Sequence, residues 1–298
     1  MRIFVTGATG FIGSAIVQEL IQAGYQVLGL TRSEAGAKSL TAAGAQVHRG
    51  DLADLESLRK GAAMSDGVIH TAFNHDFSKY VSNCEDDRRV IECLGAALAG
   101  SDRPLLISSG TGMVNSAPGR LATENDAPAS SAVIPRAASE EAAASVAAKG
   151  VRVSVVRLPQ VHDTVKQGLI SYAITVARQK GVAAYVGDGL NRWPAAHVLD
   201  TARLYRLALE KQQAGATYHA VAEEGVPLRD IVEVIGRVLK VPVVSLPAEE
   251  AATHFGWLSA FAGRDVPASS AQTQEQLAWH PSGPGLIADL EQGRSVEA

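Results

Sequence analysis

"VTGATGFIG", residues 5–13, decides the fold. Of its three glycines, Gly7 and Gly10 stand between the short apolar run "RIFVT" and "FIGSAIVQELIQAG", and Gly13 is the third residue of the latter. In the second stretch Ile12, Ala15, Ile16, Leu20 and Ile21 recur at helical spacing, and Gly24 supplies a stop. In a strand–turn–helix of this kind Gly7 permits the tight turn, Gly10 lets the backbone approach a pyrophosphate, and Gly13 lets the helix lie close on the sheet. The helix start, with Thr9, Phe11 and Ile12 beside the glycines, offers free N–H groups and a partial positive charge to phosphate.

Working outward, apolar runs recur at "YQVLGLTR" (25–32), "QVHRGDL" (46–52), "DGVIHTAF" (66–73), "RPLLISSG" (103–110) and "VRVSVVRLP" (151–159), with helical stretches between them. Strands that are apolar throughout and alternate with helices belong to a parallel sheet covered on both faces. The fold class is therefore α/β: a Rossmann-type, doubly wound parallel sheet of about seven strands, with a small C-terminal substrate lobe. Residues 1–165 are expected to form the dinucleotide-binding core. Residues 166–298 are expected to form a cap partly interleaved with it, the chain returning to the sheet at about 185–222.

The second run ends in Thr31, Arg32 and Ser33, and no acid follows until Glu34. An NAD site presents Asp or Glu here to the ribose 2′-hydroxyl, whereas an arginine's planar fork suits a 2′-phosphate. NADP(H) is the expected cofactor. Of the 298 residues 46% are hydrophobic and 19% charged, and the net charge is −4. This composition supports a large core and gives no general basic surface for nucleic acid. No apolar run reaches the ~18 residues of a membrane span. Cys84 and Cys93, the two cysteines, read as reduced packing residues. The expectation is a cytoplasmic protein with a small-molecule substrate and no nucleic-acid or membrane partner.

Across residues 1 to about 220 the chain resembles the short-chain dehydrogenase/reductase superfamily in its extended or atypical branch, which includes nucleotide-sugar epimerases, 3-beta-hydroxysteroid dehydrogenases and flavonoid-type reductases. "TGATGFIG" matches the glycine motif. "GDL" is similar to the segment that reaches the adenine, which implies Asp51 and Leu52 there. "VIHTAF" resembles the strand lining the cofactor, implying Thr71, Ala72 and Phe73. "ISSGTG" resembles the strand whose second serine bonds a substrate carbonyl, implying Ser109, with Ser108 beside the cofactor and Thr111 as the alternative. "RLPQVH" resembles the segment packed on the nicotinamide, implying Pro159, Val161 and His162. The resemblance also implies a homodimer through helices at about 83–99 and 135–149, whose alanines would allow close packing.

One stretch departs from the family. "AVIPRAASEEAAASV", 132–146, reads as a helix entered through Pro135, where the family carries a tyrosine and a lysine four residues apart. Here the pairs at that spacing include Ile134/Ala138, Pro135/Ser139 and Arg136/Glu140, so neither role is carried over. Hydride transfer survives that loss, because positioning alone supplies much of the rate. The favoured reading is an NADP(H)-dependent oxidoreductase acting on a small carbonyl, imine or conjugated C=C bond. The alternatives are a catalytically silent NADP(H)-sensing protein and, less favoured, a nucleotide-sugar epimerase or dehydratase.

Ser109, Thr111 and His162 are the catalytic candidates, His162 as a proton donor near neutral pH. Arg136 is expected to pair with Glu140 at i+4. His75, Tyr172, Tyr185, Arg192 and Trp193 are candidates for the substrate side. His70 and His75 lack a third ligand at fixed spacing, so no metal is expected. There is no G-x-S-x-G elbow of a serine hydrolase.

Overall fold

The computed structural model describes residues 1–114, 117 and 119–293. In chain order the first half runs β1 (Arg2–Thr6), α1 (Phe11–Gln22), β2 (Gln26–Thr31), α2 (Glu34–Ala42), β3 (Gln46–Arg49), α3 (Leu55–Ala63), β4 (Gly67–His70), α4 (Tyr80–Leu98), β5 (Pro104–Gly110), α5 (Ala138–Ala148) and β6 (Arg152–Leu158). The second half runs β7 (Gln160–His162), α6 (Ile170–Lys180), β8 (Ala183–Val186), β9 (Arg192–His197), α7 (Val198–Lys211), β10 (Thr217–His219), β11 (Glu223–Pro227), α8 (Leu228–Leu239), β12 (Val243–Leu246), α9 (Ala251–Phe255), α10 (Ser259–Ala262), α11 (Ala271–Leu277) and α12 (Leu286–Glu291).

Seven strands form the main sheet in the order β10-β6-β5-β4-β1-β2-β3. Every pairing in it is parallel. Ile3, Phe4 and Val5 of β1 are fully buried, which is why the strand is apolar on both faces. On one face Ile16 and Leu20 of α1 meet Leu204, Tyr205 and Leu209 of α7. On the other, Leu58 of α3, Ile91 and Leu94 of α4 and Val146 of α5 close a second cluster. Gly95 and Val146 are in such close contact that a Cβ on Gly95 would lie 2.3 Å from Val146 Cγ1. Ala142 and Ala143 likewise face their own core. The small residues of α4 and α5 thus serve packing within one chain, a use their composition alone does not distinguish from a dimer contact.

Strand order reverses between β1 and β4, the place where open α/β sheets form a ligand crevice at the carboxyl ends of their strands. The smaller lobe has a three-stranded sheet, β11-β9-β7, and the two-stranded β12-β8. Its core gathers Ile174 of α6, Trp193 of β9, Ile231 and Ile235 of α8 and Leu290 of α12. Between these pieces α7 and β10 rejoin the main body.

The chain leaves the lobe through α11 and the residues that follow it, before α12 rejoins it. Trp279 is fully buried in the main core beside α7, and its indole N–H donates to the Asp200 carbonyl at 3.0 Å. The Asp200 carboxylate accepts from the backbone N–H groups of Ser282 and Gly283 at 3.0 and 2.7 Å. Thr273 of α11, also fully buried, accepts from His219 N–H at 2.8 Å and donates to Glu124 at 2.7 Å. Among the described residues no helix is long and apolar enough to cross a membrane.

Candidate functional site

The glycine loop closes at the crevice. Gly7 has φ +69°, a conformation that side chains resist. A Cβ on Gly13 would lie 2.0 Å from the Gly7 carbonyl oxygen. No side chain caps α1 at Gly10, so its first-turn N–H groups remain open to an anion. Thr71 donates to the Thr6 carbonyl at 2.8 Å and holds the end of β4 against this turn. Arg32 and Asp51 lie across from each other at the ends of β2 and β3, 3.5 Å apart, with the arginine side chain 82% exposed. The cradle, the open helix end and this exposed guanidinium fit a dinucleotide. Thr31 is buried, and its hydroxyl accepts from Ser33 N–H at 3.4 Å. The Ser33 side chain caps α2 by accepting from Gly36 N–H. Leu52 packs beside the α3/α4 core.

At the carboxyl ends of β1 and β4 lies a chain of buried polar groups. Thr6 hydroxyl meets His70 Nδ1 at 2.7 Å, and His70 Nε2 meets Asp87 at 2.9 Å. Asp87 in turn accepts from Arg136 Nη1 at 2.9 Å. Burial alone would raise the Asp87 carboxyl, but Arg136 and His70 outweigh it and hold it below the ordinary carboxylate range. The Arg136 guanidinium also donates to the Ser108 carbonyl at 3.2 Å and lies 4.3 Å above the Phe73 ring. Arg136 is thus fixed at the mouth of β4 and β5, not spent on its i+4 neighbour.

Glu140 belongs to a different set. Arg157 grips it with Nε and Nη2 at 2.9 and 2.8 Å, both side chains being almost wholly buried. Ser109 donates to the same carboxylate at 2.6 Å. The third Arg157 nitrogen donates to the Asp126 carbonyl at 3.0 Å. The expected Arg136–Glu140 pair is therefore replaced by two tertiary pairs, Arg136–Asp87 and Arg157–Glu140. Helical spacing brings two residues to one face but does not choose between them and partners on other elements.

Several expectations need correction. The Ser109 proton goes to Glu140, so in this arrangement Ser109 has no donor left for a substrate carbonyl. Thr111 is buried, with its hydroxyl directed to the Leu158 carbonyl at 3.4 Å. Ser108 turns its hydroxyl into the core, to the His70 carbonyl at 2.9 Å and Tyr205 at 2.6 Å. Val161 is a core residue, while Pro159 stays half-buried at the end of β6. His162 is completely buried and faces away from any open cleft. Its Nδ1 meets Asp289 at 2.7 Å, its Nε2 lies 3.9 Å from Glu223, and the His197 ring is 5.9 Å away. Sequence placed His162 just past β6, but β7 carries it under α12.

On the substrate side, Trp193 is buried in the lobe, its indole N–H donating to the Arg264 carbonyl at 3.2 Å. Tyr185 packs under Arg229, and Arg192 forms a two-point pair with Asp265 at 3.1 and 2.8 Å. His75 and Tyr172 do join a common feature, an aromatic bridge between the β4–α4 loop and the lobe. Phe77 stacks on Trp257 at 3.9 Å, with Tyr172 edge-on to both and His75 edge-on to Phe77. Among the described residues no group of three metal-binding side chains comes together.

A cleft of about 390 Å³ is lined by residues of the 114–134 stretch and of 264–266. Val114, Ala129, Val133, Ile134 and Val266 give it aliphatic walls, and Ser130, Arg264 and Asp265 are its polar members. Tyr80, the half-buried first residue of α4, is pushed up to about 12 by burial, against the pull of Arg136 and Arg264. Sequence reading missed Asp87, Arg264 and Tyr80, which carry no motif. Arg136 and Glu140 were visible as a spaced pair.

The buried histidines make stability pH-dependent. Burial lowers His162 despite the pull of Asp289, and it lowers His219 as well. Each is neutral in the folded state, so the unfolded chain takes up protons first as pH falls. Folding stability is expected to be complete above about pH 6.5 and to decline below it. Urea midpoints at pH 7.5 and 5.5 check this; a midpoint that rises on acidification would contradict the assignment.

The sequence model of the NAD dependent epimerase/dehydratase family matches residues 3–222. The chain is 50% identical over 292 residues to "Uncharacterized protein C2A9.02" of Schizosaccharomyces pombe, covering 97% of this chain and 98% of that one. It is 25% identical over 247 residues to a decarboxylating sterol-4-alpha-carboxylate 3-dehydrogenase of Dictyostelium discoideum, covering 76% and 73%. Its fold matches the crystal structure of a dTDP-glucose 4,6-dehydratase, DesIV of Streptomyces venezuelae, with a TM-score of 0.78 at 20% identity, covering 100% and 96%.

Proposed function

Because the chain belongs to the NAD dependent epimerase/dehydratase family, we propose that it is an NADP(H)-dependent oxidoreductase passing hydride to a small carbonyl, imine or conjugated C=C bond. One observation carries the choice of cofactor: β2 is followed at once by an exposed arginine, Arg32, with no carboxylate at the strand's own end to meet a ribose 2′-hydroxyl. A 2′-phosphate entering between Arg32 and Asp51 would take over the arginine's fork.

The nicotinamide, when bound, supplies the hydride. The chain's part is to hold the acceptor and manage charge. Gly7, Gly10 and the start of α1 hold the phosphates, and Thr71, Ala72 and Phe73 line the path to the reactive end. Arg136, clamped by Asp87, which His70 also holds, is a fixed cation at the ends of β4 and β5, suited to stabilise charge that develops on a substrate oxygen. Tyr80 stays protonated at neutral pH and is assigned the return of the proton. Reduction of an activated bond asks less of that donor than alcohol oxidation asks of a base. The reading includes a cytoplasmic location and a homodimer, the latter checked by light scattering.

The test is calorimetric titration with NADPH and NADH, followed by a scan of NADPH consumption over aldehydes, ketones, enones and imines. NADPH is expected to bind more tightly, with turnover in at least one class. Arg32→Ala is expected to weaken NADPH roughly 10- to 100-fold, the range of a lost charge-assisted bond, and to leave NADH unchanged. Equal losses for both cofactors would remove the arginine from the selectivity argument. Tight binding without turnover across the scan would favour a sensing role.

A further inference from the structure

Arg264 is the unbalanced charge of the cleft. Its neighbour Asp265 is already engaged: Arg192 pairs with both carboxylate oxygens and adds its backbone N–H at 2.7 Å. That grip holds the Asp265 carboxyl below the ordinary range. No carboxylate lies within ion-pair distance of Arg264 among the described residues; its one side-chain bond is from Nη2 to the Gly112 carbonyl at 3.0 Å. Its backbone is fixed, the carbonyl accepting from Trp193 at 3.2 Å and from Asn191 at 3.1 Å. The side chain thus spans from the lobe to the residue that follows Thr111, beside the end of β5 where the reacting bond is to be held. The remaining walls are aliphatic.

We propose that this cleft takes an otherwise apolar small molecule bearing a single carboxylate, which pairs with Arg264 while its hydrocarbon lies against Val114, Val133, Ile134 and Val266. The inference rests on the reading of the chain as a hydride-transfer enzyme and names the substrate class of that site. A guanidinium with one N–H committed to Gly112 still has four donors, enough to hold a carboxylate at two points. One such fork balances one charge. A nucleoside diphosphate would bring at least two charges into a wall that has, among the described residues, a single unpaired cation, leaving the remainder desolvated without a partner.

The experiment separates binding from turnover. With the protein saturated in NADP+, hexanoate and hexanamide are titrated as unreactive probes and melting temperature is followed, with UDP-glucose as a third ligand. Hexanoate is expected to raise the melting temperature where hexanamide does not. Arg264→Met should erase that difference, a loss of roughly 10- to 100-fold in affinity, and Arg264→Lys should restore part of it. Equal response to acid and amide in the unaltered protein would overturn the proposal without recourse to any variant. So would a response to UDP-glucose alone. If hexanoate binds through Arg264 but no 2-oxo acid, 3-oxo acid or enoate consumes NADPH, the carboxylate site stands and the oxidoreductase reading fails.

Discussion

Gly13→Ala is expected to cost at least a hundredfold in NADPH affinity, about 2.7 kcal/mol or more. The added Cβ would stand 2.0 Å from the Gly7 carbonyl oxygen and 2.7 Å from the carbonyl carbon, so it is backbone and not a flexible side chain that must yield. The only relief is to push α1 away from the turn, which carries the open N–H groups off the phosphate position. Gly10→Ala is the graded control, with a Cβ 3.1 Å from the same oxygen, and should lose less. Fluorescence titration with NADPH distinguishes them. Unchanged affinity in the Gly13 variant would mean that the loop is a turn without a ligand.

Arg157→Met should destabilise the protein by about 3–5 kcal/mol, because it strands Glu140 as a buried charge. Both partners of the pair are nearly inaccessible, at 2% and 5% side-chain exposure. The same change removes the bond to the Asp126 carbonyl, which ties the 123–131 segment to the sheet. Pairing it with Glu140→Leu should recover more than half of the loss, since the stranded carboxylate is then gone. Denaturant midpoints of the two single variants and the double variant measure the coupling. Simple additivity would show that the ion pair is not the source of the effect.

Much of the fold was legible because it is written locally. The glycine turn and the alternation of apolar strands with helices need only neighbouring residues to be read, and the strand order is the one such a pattern implies. The site was legible only in part. The phosphate cradle depends on backbone conformation, which glycine reports directly. The charged groups depend on partner choice across elements far apart in sequence. Arg136 had Glu140 four residues ahead, in the first turn of α5, and took Asp87 from α4. His162 stood at the right end of β6, yet β7 turned it inward to Asp289, 127 residues later. Trp193 looked like a cleft aromatic because its loop is polar, but it lies in β9, whose four central residues are all buried. Nothing local marks Arg264 as unpaired; that is known only once Asp265 is seen to be held by Arg192.

The placement of Trp279 bears on how the protein comes off the ribosome. The indole completes a core whose other members, Ile16, Leu204 and Tyr218 among them, are made much earlier. At about 5–20 residues per second of synthesis, the apolar socket between α1 and α7 stays open for seconds after β10 has emerged. During that interval the nascent chain carries an unfilled hydrophobic site. The core between the main sheet and α7 gains its final packing only when Trp279 arrives.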